Sequence, residues 1–256
     1  AEGETFSKIP GSPIVYWISS HELRSFIELG SLSEIADFRQ GMATTDNGRF
    51  LRQWSEISNT GIVFDAESSS DPKIEDKYWF PYNKGGGDRR WYGHNEFVVR
   101  YERGGQVLID LVRKKYPKIS DPEFVIKNRS YYFKPSVTYS ALSGGEFAAR
   151  ICSRGYIFDT KGSSAFPLKE VSKEQLSSLL NSRVSSNFLK LLAPTLDFSL
   201  FALNKIPIPR NLPQHASSLA ASCLEIAKRD WDAYETSWDF RFHPLVNESA
   251  GSTHSI

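Results

Sequence analysis

Cysteine is scarce in this chain: Cys152 and Cys223 are the two in 256 residues, and they lie far apart. Two distant thiols build no disulfide framework and have no metal-ligand spacing. Each reads as a small buried hydrophobe in a reducing, cytoplasmic setting. Long apolar runs are also missing. None reaches the ~18 residues that cross a bilayer, so no membrane partner is expected. The start, AEGETFSKIPGS, lacks the apolar segment of a signal peptide. It also lacks an initiator Met, the single Met being Met42. The chain therefore reads as a piece excised from a longer protein, or as one carrying a tag remnant. Net charge is small as well, +1 from 31 basic and 30 acidic residues. A polyanion partner can be argued only from local clustering.

Catalytic constellations are absent too. The histidines at 21, 94, 215, 243 and 254 show no ligand spacing. Asp65 and Glu67 form a common strand-end pair rather than a nuclease centre. Gly85, Gly86 and Gly87 are not followed by Lys-Ser or Lys-Thr and open no helical pattern, which excludes a nucleotide-binding P-loop. Nothing matches an S-adenosylmethionine loop or an Asn-Pro-Pro-Tyr adenine pocket. The chain reads as a binding module without catalytic residues, metal or cofactor of its own.

What is present is aromatic. Hydrophobic residues at 40% and charged residues at 24% are ordinary, but aromatics reach 13% with six Trp. They concentrate in Lys77–Tyr101, KYWFPYNKGGGDRRWYGHNEFVVRY. Phe80, Tyr82, Trp91 and Tyr92 stack or bury there. Lys84, Arg89 and Arg90 suit phosphate, and Arg can read guanine edges. The three glycines permit positive φ and close approach to another molecule. The same stretch also fits a β-hairpin with a flexible glycine turn. A second candidate is the loop at 41–48, whose Asp46-Asn47-Gly48 is strong turn chemistry. Arg39, Arg49 and Arg52 surround it against the single acid Asp46. Thr44, Thr45 and Asn47 are side chains that reach phosphate and base edges. The most basic window is 113–134, with seven cations against two acids and Tyr131, Tyr132 and Phe133 near its end.

Around these signals the elements read as follows. A strand-like run at 13–18 leads into a helix capped by Ser19 or Ser20 and stopped at Gly30. A short helix follows at 31–36. GIVFDA at 61–66 reads as a strand before a polar loop to Asp76. Gln106 to Pro117 is helical, with Arg113, Lys114 and Lys115 complementing its dipole. Residues 131–166 read as a β-region with turns at Ser143–Gly145 and Arg154–Gly155. Glu174 to Leu192 is one amphipathic helix or two joined. Thr195 to Pro209 reads as a strand ending in a proline pair, and Gln214 to Lys228 as another helix. The aromatic-rich 229–245 has no core of its own and is expected to dock back or onto parts of a longer protein.

Several strings, taken together, resemble the target recognition region of adenine-specific DNA methyltransferases. They are similar above all to the single-chain enzymes of bacteriophage-exclusion (BREX, PglX-like) systems and to related fused restriction-methylation enzymes. The strings are RQGMATTDNGRFLRQW (Arg39–Trp54), WFPYNKGG (Trp79–Gly86), RWYG (Arg90–Gly93) and GYIFDTKGSSAF (Gly155–Phe166). The close of the region resembles the end of target recognition domains in type I restriction specificity subunits. It runs from Leu180-Asn-Ser182 through Pro194–Phe198 to Ile206–Pro209.

The resemblance implies an α+β (mixed α/β) recognition domain at 13–210, with a sheet region flanked by helices. It implies a helical spacer at 211–245, between a flexible start at 1–12 and a flexible tail at 246–256. It further implies duplex DNA as partner. An N-terminal methyltransferase domain, outside this chain, would bind S-adenosylmethionine and methylate adenine N6 on a flipped base. Candidate DNA contacts are Arg39, Thr44, Thr45, Asn47, Arg49, Arg52, Lys84, Gly85, Gly86, Arg89, Arg90, Trp91, Tyr92, Asn95, Lys161, Ser163 and Ser164. Lys84 with the amides of Gly85 and Gly86 is a candidate phosphate cradle. The guanidinium groups near 50 and 90 are expected to converge on one cleft. Two other readings stand beside this one: a protein-interaction module that docks a methyltransferase or another defence subunit, and a stand-alone nuclease.

Overall fold

The computed structural model describes residues 6–71, 74, 77–168, 171–209 and 211–246. Its elements begin with α1 (Ser20–Glu28), β1 (Gly30–Ser31), β2 (Ala36–Arg39), α2 (Asn47–Phe50), β3 (Leu51–Gln53), β4 (Trp79–Asn83) and β5 (Phe97–Arg100). They continue with α3 (Gln106–Lys115), β6 (Ser136–Tyr139), β7 (Ala149–Cys152), β8 (Ile157–Phe158) and β9 (Ser164–Pro167). The chain closes with α4 (Lys173–Leu180), α5 (Arg183–Leu192), α6 (Leu200–Asn204), β10 (Pro207–Ile208) and α7 (His215–Trp231). The fold is mixed α+β, as the sequence implied.

Two four-stranded sheets carry it. The first has the order β2-β9-β6-β7 and is antiparallel throughout. The second has the order β3-β5-β4-β8, and its β4–β8 pair is parallel. Every residue of β6 and β7 is buried, because α4 covers this sheet and the segment after β4 crosses its edge. Leu176, Leu180, Leu189 and Phe188 from α4 and α5 join Val137, Tyr139 and Phe38 in one core. Leu108, Ile109 and Val112 of α3 join Phe80, Tyr82 and Val99 in the other. Phe158 and Phe166, one from each sheet, lie 5.7 Å apart at the seam.

Local chemistry sets the helix starts. The Ser19 hydroxyl accepts from the Glu22 amide while the Glu22 carboxylate accepts from the Ser19 amide. Ser172 and Gln175 make the same reciprocal cap on α4. Such caps contribute about 1 kcal/mol each. Ser182 caps α5 in the same region, which splits the expected 174–192 helix in two.

Other expectations change. The run at 13–18 has no strand partner among the described residues: Val15 is buried, but Ile14, Tyr16 and Trp17 face outward. Residues 31–36 make a 3-10 turn at Leu32–Glu34 and then enter β2. GIVFDA is not a strand. Turn bonds from Ile57 to Trp54 and from Gly61 to Ser58 curl its approach, leaving one bridge, Ile62 to Trp79. Tyr131–Phe133 belongs to a turn in which Phe133 has φ 68°, so the β-region starts at Ser136. Within 195–209 the Ser199 hydroxyl caps a helix, α6, that buries Ala202 and Leu203; Pro207–Ile208 pairs as strand with β1, and Asp197 makes an isolated antiparallel bridge to Leu142. Ile9, in the expected flexible start, is buried in the first core. The expected spacer helix α7 packs along α4. The segment after it docks back, with Trp238 against Phe64 at 5.1 Å and the Trp54 indole N–H donating to the Thr236 carbonyl. The expected flexible tail beyond Val246, the first five residues and part of the polar loop before Lys77 lie outside the described residues.

Candidate nucleic-acid interface

Three strings that are distant in sequence meet at Asp159. The Tyr82 hydroxyl lies 2.8 Å from Asp159 Oδ2 and 3.1 Å from the Met42 carbonyl. Burial and the neighbouring carboxylate push the Tyr82 hydroxyl well above the usual phenol range. Lys84 Nζ reaches the same carboxylate at 2.7 Å, and the Lys161 amide donates to its other oxygen. Asp159 is buried, so the Lys84 ammonium matches a charge that would otherwise be costly. Glycines make the approach possible. A Cβ on Gly41 would sit 1.7 Å from the Phe158 carbonyl oxygen, and one on Gly162 2.1 Å from that of Asn83.

From this knot the 41–48 loop runs from buried Met42 and Thr44 to an exposed tip at Asp46, Asn47 and Gly48. Asp46 caps α2, and the Thr44 hydroxyl bonds the Asn47 amide oxygen. The basic window comes against this loop. Lys115 Nζ donates to the Thr45 carbonyl at 3.0 Å, the Ala43 amide to Val125, and Lys127 and Asn128 to Gln40. Asn47, Arg49, Lys115 and Lys161 are exposed, as are Arg113, Lys114 and Lys118. The Arg49 guanidinium rests over the Phe50 ring at 5.1 Å. Arg39 pairs with Asp37 at 2.6 Å and stacks on Tyr131, whose ring also carries Lys134. This ridge unites the 39–52 string with the 113–134 window, which sequence order keeps apart.

The 84–95 segment is organised differently. Arg89 ion-pairs with Asp230 of α7 at 2.5 Å, donates to the Tyr92 and Ala227 carbonyls, and stacks on Trp231. Arg90 pairs with Glu146 at 2.7 Å. Trp91 extends β7 through backbone bonds to Ala149 and Ile151. Tyr92 lies half-buried beneath Lys228. The Gly86 amide donates to Ser140 Oγ at 2.8 Å, so the expected Lys84–Gly85–Gly86 cradle has that donor and the Lys84 ammonium already engaged. Gly85 has φ +78° and no room for a Cβ beside the Lys161 carbonyl.

The candidate set therefore divides. Side chains of Thr44, Asn95, Ser163 and Ser164 are buried and stay inside the fold. Arg52 donates to the Gly48 and Leu51 carbonyls and leans on Trp79. Among the described contacts none joins Arg49 or Arg52 to Arg89 or Arg90; the latter pair fastens the segment to α7 and to Glu146. Sequence reading missed Arg150, a buried guanidinium on β7 that donates to the Arg89 carbonyl and to Ser140 Oγ and has no carboxylate partner among the described residues. Burial lowers it to about 10. An arginine flanked by Ala149 and Ile151 in an apolar strand was its only sequence signal. Among the described residues no His, Cys, Asp and Glu cluster could hold a metal, and no helix is long and apolar enough to cross a membrane.

No protein-family model matches the chain. It is 36% identical over 248 residues to the adenine-specific methyltransferase PglX of Lacticaseibacillus casei (strain Zhang), covering 96% of this chain and 20% of that protein. It is 33% identical over 255 residues to the adenine-specific methyltransferase BrxX of Escherichia coli O9:H4 (strain HS), covering 98% and 19%. The chain spans about one-fifth of the length of these curated relatives. Nearly all of this chain is thus similar to one portion of PglX-like adenine-specific methyltransferases.

Proposed function

We propose that this chain is the DNA target-recognition portion of an adenine-specific (N6) DNA methyltransferase of a restriction-modification or phage-exclusion system. It binds duplex DNA and does not itself turn over. S-adenosylmethionine binding and methyl transfer belong, in this reading, to other parts of a longer chain. The Gly85–Gly87 turn fits that assignment, since its Gly86 amide is spent on Ser140 and it opens no helix. The similarity of 180–209 to the end of type I specificity domains belongs to the same proposal.

One observation carries the reading: the Lys115–Thr45 contact sets the most basic window of the chain beside the exposed Asp46–Gly48 turn. In this reading Lys115, Arg49, Lys161 and Lys127 serve phosphates, and the exposed Asn47 reads a base edge. Phosphate contacts make affinity fall with salt. A good bidentate base contact contributes about 1–3 kcal/mol of discrimination. The test is a fluorescence anisotropy titration with mixed-sequence duplex DNA at about 50 and about 200 mM salt. Binding that weakens steeply between the two supports the proposal. No binding at the lower salt overturns it.

A docking role has its own support. Ile14, Tyr16 and Trp17 are 77%, 75% and 58% exposed, with the Tyr16 and Trp17 rings 4.9 Å apart, an apolar patch suited to a methyltransferase portion or another defence subunit. The two roles are compatible.

A further inference from the structure

Away from the basic ridge, the segment after α7 closes over the fold and leaves a cavity of about 480 Å³. Four aromatic side chains wall it: Phe64, Tyr92, Tyr156 and Trp238. Phe64 and Trp238 lie 5.1 Å apart, and Tyr156 and Trp238 6.2 Å. The Trp238 wall is held by distant fastenings. Lys228 bonds both Asp232 and Asp239, the Ser237 hydroxyl donates to Asp232, and the Trp54 indole donates to the Thr236 carbonyl. An open second cavity of about 460 Å³ adjoins the first and shares Ser153 and Lys173 with it. Lys134 and Arg154 line this second cavity.

The charges on the two linings are unequal in use. Arg154 is paired with Glu67 and Lys228 with Asp239. Lys173 stands where the cavities meet and makes no ion pair among the described residues. An aromatic-walled recess beside this ammonium and a hydroxyl fits a planar ring bearing an anion. Aromatic side chains hold bases by stacking irrespective of sequence, and cations hold the adjoining phosphate.

We propose that this double cavity binds a nucleotide whose base is unpaired. The base lies against the half-buried rings of Phe64, Tyr92 and Trp238 that line the cavity, and its phosphate lies against Lys173 and the Ser153 hydroxyl. The site goes beyond the duplex-binding ridge: Phe133 and Lys134 of its lining fall in the 113–134 window, but the residues proposed to hold the nucleotide belong neither to that window nor to the 41–48 loop. A free nucleotide and a single unpaired nucleotide within DNA present the same chemistry.

The test follows tryptophan fluorescence of the whole chain. The probes are adenosine 5′-monophosphate, adenosine, and a short single-stranded oligonucleotide. The expected result is quenching by the monophosphate, with adenosine bound about tenfold more weakly for lack of the phosphate contact. Lys173→Glu, on the rim and therefore harmless to folding, should remove that difference and leave duplex anisotropy unchanged. If the oligonucleotide displaces the monophosphate, the nucleotide comes from DNA; if only the monophosphate binds, the site takes a free nucleotide. Absence of quenching by either phosphate probe, or a monophosphate affinity untouched by Lys173→Glu, overturns the proposal. Duplex binding in the same samples reports separately on the recognition reading.

Discussion

Lys84 Nζ sits 2.7 Å from a carboxylate oxygen of Asp159, 75 positions away in sequence, and that carboxylate is almost wholly buried. Asp159 also receives the Tyr82 hydroxyl and the Lys161 amide. One acid thus ties β4, the turn after β8 and, through Tyr82, the Met42 carbonyl. Removing its charge leaves an ammonium without its partner and a phenol with a poorer acceptor. Asp159→Asn is expected to cost about 2–4 kcal/mol, because breaking an ion pair with a buried member leaves the remaining charge uncompensated. A drop in urea midpoint of that size, partly recovered in the Lys84→Met/Asp159→Asn double variant, is the measurement. A midpoint within error of the parent would show that the knot does not organise the loops.

Arg89 and Arg90 are neighbours with opposite prospects. Arg89 has an ion pair, two carbonyl acceptors and an aromatic face, all binding the 84–95 segment to α7. Arg90 has one exposed partner, Glu146. Arg89→Ala should lower stability by about 2 kcal/mol, through lost packing as well as lost hydrogen bonds. Arg90→Ala should stay within about 0.5 kcal/mol, as surface substitutions usually do. Paired thermal melts decide it, and equal losses would contradict the division.

Legibility in the sequence followed the range of the interactions. α1, α3, α4 and α7 could be read because a cap and a helical apolar period are local properties. The 61–66 run could not, because its apolar residues enter the core from turns fixed by contacts to Trp54 and Trp79. The 195–204 run was misread because FSLFALN suits strand and helix alike until the Ser199 cap decides. At the candidate site the residue types were visible, but the Lys115–Thr45 contact joins positions 70 apart and leaves no local trace. The roles of Arg89 and Arg150 depend on α7 and on the burial of β7, which a reading of arginines as phosphate ligands does not contain.

His94 gives a pH dependence. It lies against Trp231 with Arg150 and Arg89 nearby, and its Nε2 is buried without a hydrogen-bond partner among the described residues. Burial first, then the two guanidinium groups, lower its pKa from 6.5 to about 4. The unfolded chain therefore binds the proton more readily, and this residue's contribution to stability falls as pH drops from about 6.5 towards about 4. Partial exposure discounts the effect to about 1–2 kcal/mol. His94→Gln should flatten the wild-type decline between those pH values. Parallel pH profiles for the two proteins would show that His94 titrates normally.

Lys115 tests the recognition reading most directly. It is exposed, its one described hydrogen bond is to a backbone carbonyl, and it stands at the C-terminal end of α3, where a cation also complements the helix dipole. Lys115→Ala should therefore change stability by no more than about 0.5 kcal/mol. On duplex DNA it should weaken binding uniformly across sequences and reduce the salt slope by about 1, the signature of one lost phosphate contact. Asn47→Ala should behave oppositely, narrowing the preference for one sequence over others while leaving the salt slope in place, because base contacts specify and phosphate contacts position. Anisotropy titrations of both variants over a salt series separate the two effects. A salt slope that Lys115→Ala leaves intact would remove the ridge from the DNA and leave the Tyr16–Trp17 patch as the better-supported interaction surface.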